Sequence, residues 1–192
     1  MPDVPRVPPF DRPATYDDLL KLPDNLVAEI VNGELHASAR PALPHAVTAS
    51  SLGSLLVVPF QHGRGGPGGW WILFEPELHF GDDVLVPDLA GWRRSRLPRV
   101  PDAAFLSLAP DWACEILSPS TAALDRARKL AVYARESVSH CWLIDPIAHM
   151  LEVLQLESGR WSILGTHVGD AVVRVPPFGD IELALRTLWG ED

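Results

Sequence analysis

The chain has 192 residues, enough for one domain with a real core, and 47% hydrophobic against 21% charged residues is the balance of an ordinary globular protein. A formal charge of −9 argues against a partner captured by the protein's overall field, such as a phosphate backbone, which requires local Lys and Arg instead. The 19 prolines, grouped at the N-terminus and around strand ends, favour a sheet-rich fold with short helices over a helical bundle. Residues 1–14 read as a Pro-rich arm and 15–192 as a single domain. Thr15 is placed to cap a short helix from Tyr16 to Lys21, with Asp17 and Asp18 in the first turn where the helix dipole favours acid. Two apolar runs, Leu26–Val31 and Glu34–Ala37, flank Asn32-Gly33, a strong β-hairpin signal. From His45 to about Gln61, apolar residues recur at helical spacing. Gly63 to Gly69 is a turn with no lysine and no preceding strand, so it does not match a phosphate-binding loop.

Trp70 to Phe80 alternates and reads as one half-buried strand whose other face carries Glu75, Glu77 and His79. Two further apolar runs follow, Val84 to Trp92 and Asp111 to Ser118, separated by a Pro-rich loop. Ser120 or Thr121 is placed to cap a helix over Ala122 to Glu136. His140 to Asp145 is an apolar strand closed by Pro146. Leu151–Leu156 and Trp161–Val168 form a hairpin around Ser158-Gly159. A short strand at Val172–Val175 leads to an amphipathic segment, Ile181–Trp189. The mixture predicts one α/β domain: a mixed β-sheet flanked by helices, with an N-terminal β-hairpin. Cys114 and Cys141 lie in apolar runs, which predicts buried free thiols and a reducing compartment. No secretory leader and no membrane-spanning apolar run is read, so a soluble cytoplasmic protein is expected.

The runs around residues 88 and 115 carry the chemistry. Each places one carboxylate, Asp88 or Glu115, among apolar neighbours. An isolated ionised carboxylate buried there is very costly, so it must be paired, protonated or bound to a cation. The functional reading is a divalent cation held by both acids with a backbone carbonyl and water; the plain reading is a solvated Asp at a strand end and a Glu paired with a buried Arg. On the following helix, Asp125, Lys129 and Tyr133 share a face, as a surface ion pair or as a lysine aimed at the carboxylates. Glu75, Glu77 and His45 are further candidates with an ordinary structural reading. Arg93, Arg94, Arg96 and Arg99 could track a phosphate backbone or line a solvated loop. The serines lack a His-Asp partner pattern, and the other histidines show no ligand spacing.

Pro87-Asp88, the run Glu115-Ile116-Leu117-Ser118-Pro119-Ser120-Thr121, then Asp125, Lys129, Tyr133 and Trp142-Leu143-Ile144-Asp145-Pro146 together resemble the Uma-type restriction endonuclease family. That family was formerly a domain of unknown function within the PD-(D/E)XK nuclease superfamily. Glu29-Ile30-Val31-Asn32-Gly33-Glu34-Leu35 resembles its hairpin, and His45 the histidine opening its next helix. The resemblance spans about residues 15 to 185. It implies a restriction-endonuclease-like core in which Asp88 and Glu115 hold Mg²⁺ or Mn²⁺ for hydrolysis of a DNA phosphodiester by a metal-activated water. The superfamily's lysine, two positions after the second acid, is Leu117 here; the resemblance assigns that role to Lys129 on the next helix and an accessory role to Glu29. Where the family has Gly-Val-x-Glu-Tyr-Trp, this chain has Ser137 to Trp142, a change in a packing strand.

The function expected is therefore a metal-dependent endonuclease with catalytic Asp88, Glu115, Lys129 and Glu29, DNA as substrate and a homodimeric state, two-fold dimers being the commonest oligomers. The acidic charge and Leu117 leave open a nuclease-fold binding module without cleavage, or a metal-dependent hydrolase of a small phosphorylated molecule.

Overall fold

A computed structural model describes residues 11–190 apart from Asp24, Arg40 and Ser120; most of the expected arm, and Ser120 as a helix cap, lie outside these residues. At the start, Asp18 accepts hydrogen bonds from the Thr15 backbone N–H (3.0 Å) and Oγ1 (2.8 Å), fixing the first turn of α1 (Tyr16–Leu19). The hairpin β1 (Leu26–Val31) and β2 (Glu34–Ala39) closes through Asn32 (φ 53°) and Gly33 (φ 78°), both left-handed as a two-residue hairpin turn requires. Helix α2 (Leu43–Leu56) has Pro44 in its first turn and continues through a π-helical turn, Val57–Gln61. By length and composition Leu43–Gln61 is long and apolar enough to cross a membrane, against the reading of the sequence. Its Leu52, Leu56 and Phe60 are buried in the protein core.

The single strand expected over Trp70–Phe80 is two, β3 (Trp70–Phe74) and β4 (Leu78–Phe80), in different sheets. Glu75, at φ 44°, and Pro76, which has no N–H to give a ladder, break the run. Alternation survives the break because Leu78 and Phe80 are buried on β4 as Trp70 and Ile72 are on β3. The next run divides likewise into β5 (Asp83–Leu85) and β6 (Leu89–Arg93), with Pro87 and Asp88 in the gap. Asp88 therefore sits at a sheet-to-sheet crossing and not inside a strand. Then follow β7 (Trp112–Ile116), one continuous helix made of α3 (Ala122–Leu124), a π-helical turn (Asp125–Lys129) and α4 (Leu130–Arg135), and β8 (His140–Asp145). The chain closes with the hairpin β9 (Met150–Glu157) and β10 (Arg160–Val168), a two-stranded ribbon β11 (Val172–Val173) and β12 (Leu183–Ala184), and α5 (Arg186–Trp189). The C-terminal strand and amphipathic segment are thus shorter than the sequence suggested.

The main sheet has the order β10-β9-β8-β7-β6-β3 and a smaller one β2-β1-β5-β4. All pairs are antiparallel except β7–β8, whose crossover is the α3–α4 helix. This is the expected mixed-sheet α/β architecture with an N-terminal hairpin. Every residue of β7 is buried, as expected of a central strand covered on both faces. On one face Trp112, Cys114 and Ile116 pack with Leu52, Leu56 and Phe60 of the long helix and Leu188 of α5. On the other, Ala113 and Leu117 pack with Tyr133 of α4 and Val31 and Leu85 of the small sheet. Both cysteines are buried free thiols, as expected.

Phe178 locks the C-terminal segment to the first face. Its ring centroid lies 4.6 Å from Phe60, 5.0 Å from Trp70, 4.9 Å from Trp112 and 5.6 Å from Trp142. Phe178→Ala leaves a cavity bordered by four rings and is expected to lower the unfolding free energy by about 3–5 kcal/mol. Urea denaturation is the check: the midpoint falls at unchanged slope, and a shift below about 1 kcal/mol would show that the rings do not depend on Phe178.

Candidate active site

Asp88 and Glu115 meet through the geometry of one ladder. Leu89 pairs with Cys114 across β6 and β7, and extending that register by one residue sets Asp88 opposite Glu115. The Asp88 carboxylate caps the β7 edge there: its Oδ2 accepts the Ile116 N–H at 2.6 Å. Its other oxygen, Oδ1, lies 3.0 Å from His45 Nε2. His45 thus belongs to the site, a contact its place in the sequence suggested only weakly. Burial works against a charge on His45, but the hydrogen bond and charge of Asp88, with Glu75 and Asp125 behind it, raise its pKa above the usual value. The His45 Nδ1 atom is buried without a hydrogen-bond partner among the described residues.

Glu115 and Leu117 point to the same face of the sheet, two residues apart. Leu117 packs in the apolar core, so the cation at this face comes from the helix above. Lys129 Nζ lies 2.8 Å from Glu115 Oε2, 2.9 Å from Glu29 Oε1 and 3.7 Å from Asp125 Oδ1, with the Val86 carbonyl at 3.5 Å. In a regular α-helix each four-residue step overshoots a full turn by about 40°. The π-helical turn Asp125–Lys129 reduces the rotation per residue, and Asp125 and Lys129 share the face above Glu115. Tyr133, one turn further, donates its hydroxyl to Glu115 Oε1. The hairpin supplies Glu29, whose Oε1 also accepts the Val86 N–H at 2.7 Å. Sequence spacing placed Asp125, Lys129 and Tyr133 on one face, but only the fold shows that Tyr133 holds the buried acid.

Lys129 and Glu115 are each only 2% exposed. Burial opposes the lysine's charge, yet Glu115, Glu29 and Asp125 together hold its pKa well above the usual value. One ammonium does not neutralise three carboxylates. Burial, opposed by Lys129 and reinforced by Asp125, Asp88 and Glu29, pushes the Glu115 carboxyl well above the usual range. Burial, against Lys129 and a hydrogen bond from Thr121, brings Asp125 to about 6. The Tyr133 hydroxyl is driven up by burial and by Glu115 and so remains a donor.

His45, Asp88, Glu115, Glu29, Asp125 and Lys129 line a cleft of about 750 Å³ with the hairpin as one wall and Ser118, Pro119 and Thr121 on the other. Among the described residues no three His, Cys, Asp or Glu side chains converge as a ligand cluster. A divalent ion would therefore rest on Asp88 and Glu115, completed by carbonyl oxygen and water. The residues fit a hard cation: the donors are oxygens, and Glu29, Asp88, Glu115 and Asp125 already exceed the positive charge beside them. Glu75 also lines the cleft, whereas Glu77 accepts from Tyr16 OH (2.8 Å) and lies 2.7 Å from His79 Nε2, away from the acids. Most of the clustered arginines are engaged elsewhere; Arg99 is exposed and has no such contact among the described residues. Arg93 and Arg94 lie over the rings of Trp70 and Trp71 at 4.6 and 4.1 Å, and Arg96 pairs with Asp111 at 3.0 Å. Arg126 pairs with Glu152, Arg128 with Glu34, and Arg135 with Asp83.

No curated protein matches the sequence. Among solved structures, one described as a "putative nuclease belonging to DUF820" from Anabaena variabilis is similar at a TM-score of 0.73 and 26% identity. The match covers 93% of this chain and 99% of that one. The Uma2 family, described as "Putative restriction endonuclease", matches over residues 13–186. With nearly its whole length matched, and the same fold in the solved structure described as a "putative nuclease", the chain belongs to the Uma2 family, whose description and structural neighbour support a nuclease-like function.

Proposed function

We propose that the protein is a metal-dependent endonuclease that hydrolyses DNA phosphodiester bonds, with Asp88 and Glu115 holding Mg²⁺ or Mn²⁺. The observation that carries the reading is the placement of these two acids across one ladder at the floor of a cleft, with a buried lysine 2.8 Å from the second. When bound, the ion supplies positive charge at the scissile phosphate and lowers the pKa of the attacking water. Lys129, kept charged by its carboxylates, sets a fixed positive centre beside the charge that develops on phosphate oxygens. Glu29 positions Lys129 by binding both its ammonium and the Val86 N–H. Tyr133 holds Glu115 from behind. The reading extends to a cytoplasmic location, in keeping with two buried free thiols, and to a homodimer, two-fold dimers being the commonest oligomers.

A second reading has its own support. Lys129 is surrounded by protein acceptors, and the position two after Glu115 is a buried leucine. Those features suit a nuclease fold that binds without cleaving, its lysine serving only to neutralise buried acids.

A nuclease assay on varied DNA with Mg²⁺ or Mn²⁺ separates the two. The wild type is expected to cleave and Asp88→Ala to lose on the order of 10²–10³-fold in rate; equal rates sink the nuclease reading, and no cleavage by the wild type leaves the binding module. Lys129→Ala leaves buried carboxylates uncompensated and is expected to cost about 3–5 kcal/mol of stability, measured by urea denaturation with and without Mg²⁺. A loss below about 1 kcal/mol would mean that Lys129 is not what neutralises this cluster.

Asp125 gives a pH signature in the metal-free protein. Its carboxyl titrates near 6 in the fold and near 3.8 when unfolded. Between these values the folded state holds more protons, so its contribution lowers stability as pH rises from about 4 to about 6. Asp125→Asn is expected to flatten that part of the stability–pH curve, and an unchanged slope would exclude Asp125 as its source.

A further inference from the structure

We infer that the pocket beside the cleft seats one unpaired base of the substrate strand, a guanine, with Glu75 as the acceptor that reads it; this rests on the nuclease reading above. The pocket, about 300 Å³, opens between α1 and β1, and Leu19, Leu22, Pro23 and Val27 give it apolar walls. It shares Val27, Glu75 and Val86 with the cleft, so the two spaces adjoin at these residues. The Glu75 N–H donates to the Asp88 carbonyl at 3.0 Å, which fixes this corner one hydrogen bond from the proposed catalytic acid. A base attached to a phosphate at Asp88 therefore has an apolar slot next to it.

Glu75 is exposed, and its carboxylate accepts no hydrogen bond from any described residue. Glu77, at the same pocket, is by contrast bonded to Tyr16 and lies against His79. Glu75 also keeps a left-handed backbone, φ 44°, which glycine or asparagine would adopt more easily. A carboxylate that accepts no hydrogen bond from the described residues, at the mouth of an apolar slot, matches a planar group with two adjacent donors. Guanine offers these in N1–H and the N2 amino group. Adenine and cytosine each present one amino group beside an acceptor, and thymine one N–H between two carbonyls. Those donors are free only when the base is unpaired, as in single-strand recognition where bases are read on their Watson–Crick edges against apolar surfaces.

The charge distribution points the same way. Duplex binding relies on many phosphate contacts from Lys and Arg. Here Arg93 and Arg94 lie on tryptophans, Arg96 pairs with Asp111, and Arg126, Arg128 and Arg135 are in ion pairs, which leaves Arg99 alone of these clusters without a partner among the described residues. A strand held by one base and one phosphate needs no such track.

The test uses short single-stranded oligonucleotides that differ only in one central base, with Mn²⁺. The guanine strand is expected to be cleaved with about tenfold higher kcat/KM than the other three. Glu75→Gln, which keeps the size of the side chain, and Glu75→Gly, which suits the backbone, are both expected to reduce that preference to about twofold or less. Equal rates for all four bases, a preference unchanged in both variants, or faster cleavage of the annealed duplex overturns the inference while leaving the nuclease reading intact. Fluorescence anisotropy with Asp88→Ala reads the same preference as binding, without turnover. Guanine-selective binding lost in Asp88→Ala/Glu75→Gln, with no cleavage by the wild type, supports the pocket and removes the nuclease reading. Unselective binding removes the pocket.

Discussion

The buried ammonium of Lys129 is the point on which the rest of the site depends. It joins β7 through Glu115, the hairpin through Glu29, the β5–β6 crossing through the Val86 carbonyl, and its own helix through Asp125. Without that charge, three carboxylates would face one another in a region from which water is largely excluded, and they would take up protons or push the elements apart. Yet a buried charge cluster is a poor way to gain stability, since well-packed apolar residues of similar volume often do as well or better. Folding alone therefore does not account for this group of side chains. What it provides is a set of acids held in fixed places at the base of a cleft.

The positions of those acids follow from two interruptions in the strands. At Glu75-Pro76 and again at Pro87-Asp88 the chain leaves one sheet for the other, and the two breaks are tied by the hydrogen bond from Glu75 N–H to the Asp88 carbonyl. A continuous ladder would have left Asp88 pointing from an ordinary strand. The crossing instead opens space above β7 and lets the Asp88 carboxylate receive the Ile116 N–H. The proline that breaks the strand thus also helps create the cleft.

Much of this could be read from the sequence, for reasons that differ by residue. Asn32-Gly33 announces a hairpin because few other pairs accept two left-handed residues. Glu115 stands out because every neighbour in its strand is apolar. The α/β order is legible from the alternation of periodicities. The breaks at Glu75 and Asp88 were hidden because both halves of each run bury apolar residues, so the hydrophobic pattern continues across the kink. The His45–Asp88 contact joins residues 43 positions apart in sequence, and only the place of His45 near a helix start hints at it. Nor does local sequence show that most of the clustered arginines are already engaged, since partners such as Trp70, Asp83 and Glu152 arrive from other parts of the chain.

The imbalance between acids and bases in the cleft has a consequence for how a nuclease of this kind would work. Five carboxylates against one lysine make a field that repels phosphate, and most of the clustered arginines are engaged with other groups. On the proposed reading, the same field that repels a bare phosphate attracts a divalent cation, so capture of the substrate and capture of the ion are coupled. The strand would be drawn in by the ion and a single base contact more than by a basic surface, which reconciles a nuclease-like fold with a net charge of −9. The acidity that counted against nucleic acid in the sequence is then a constraint on how the strand is held.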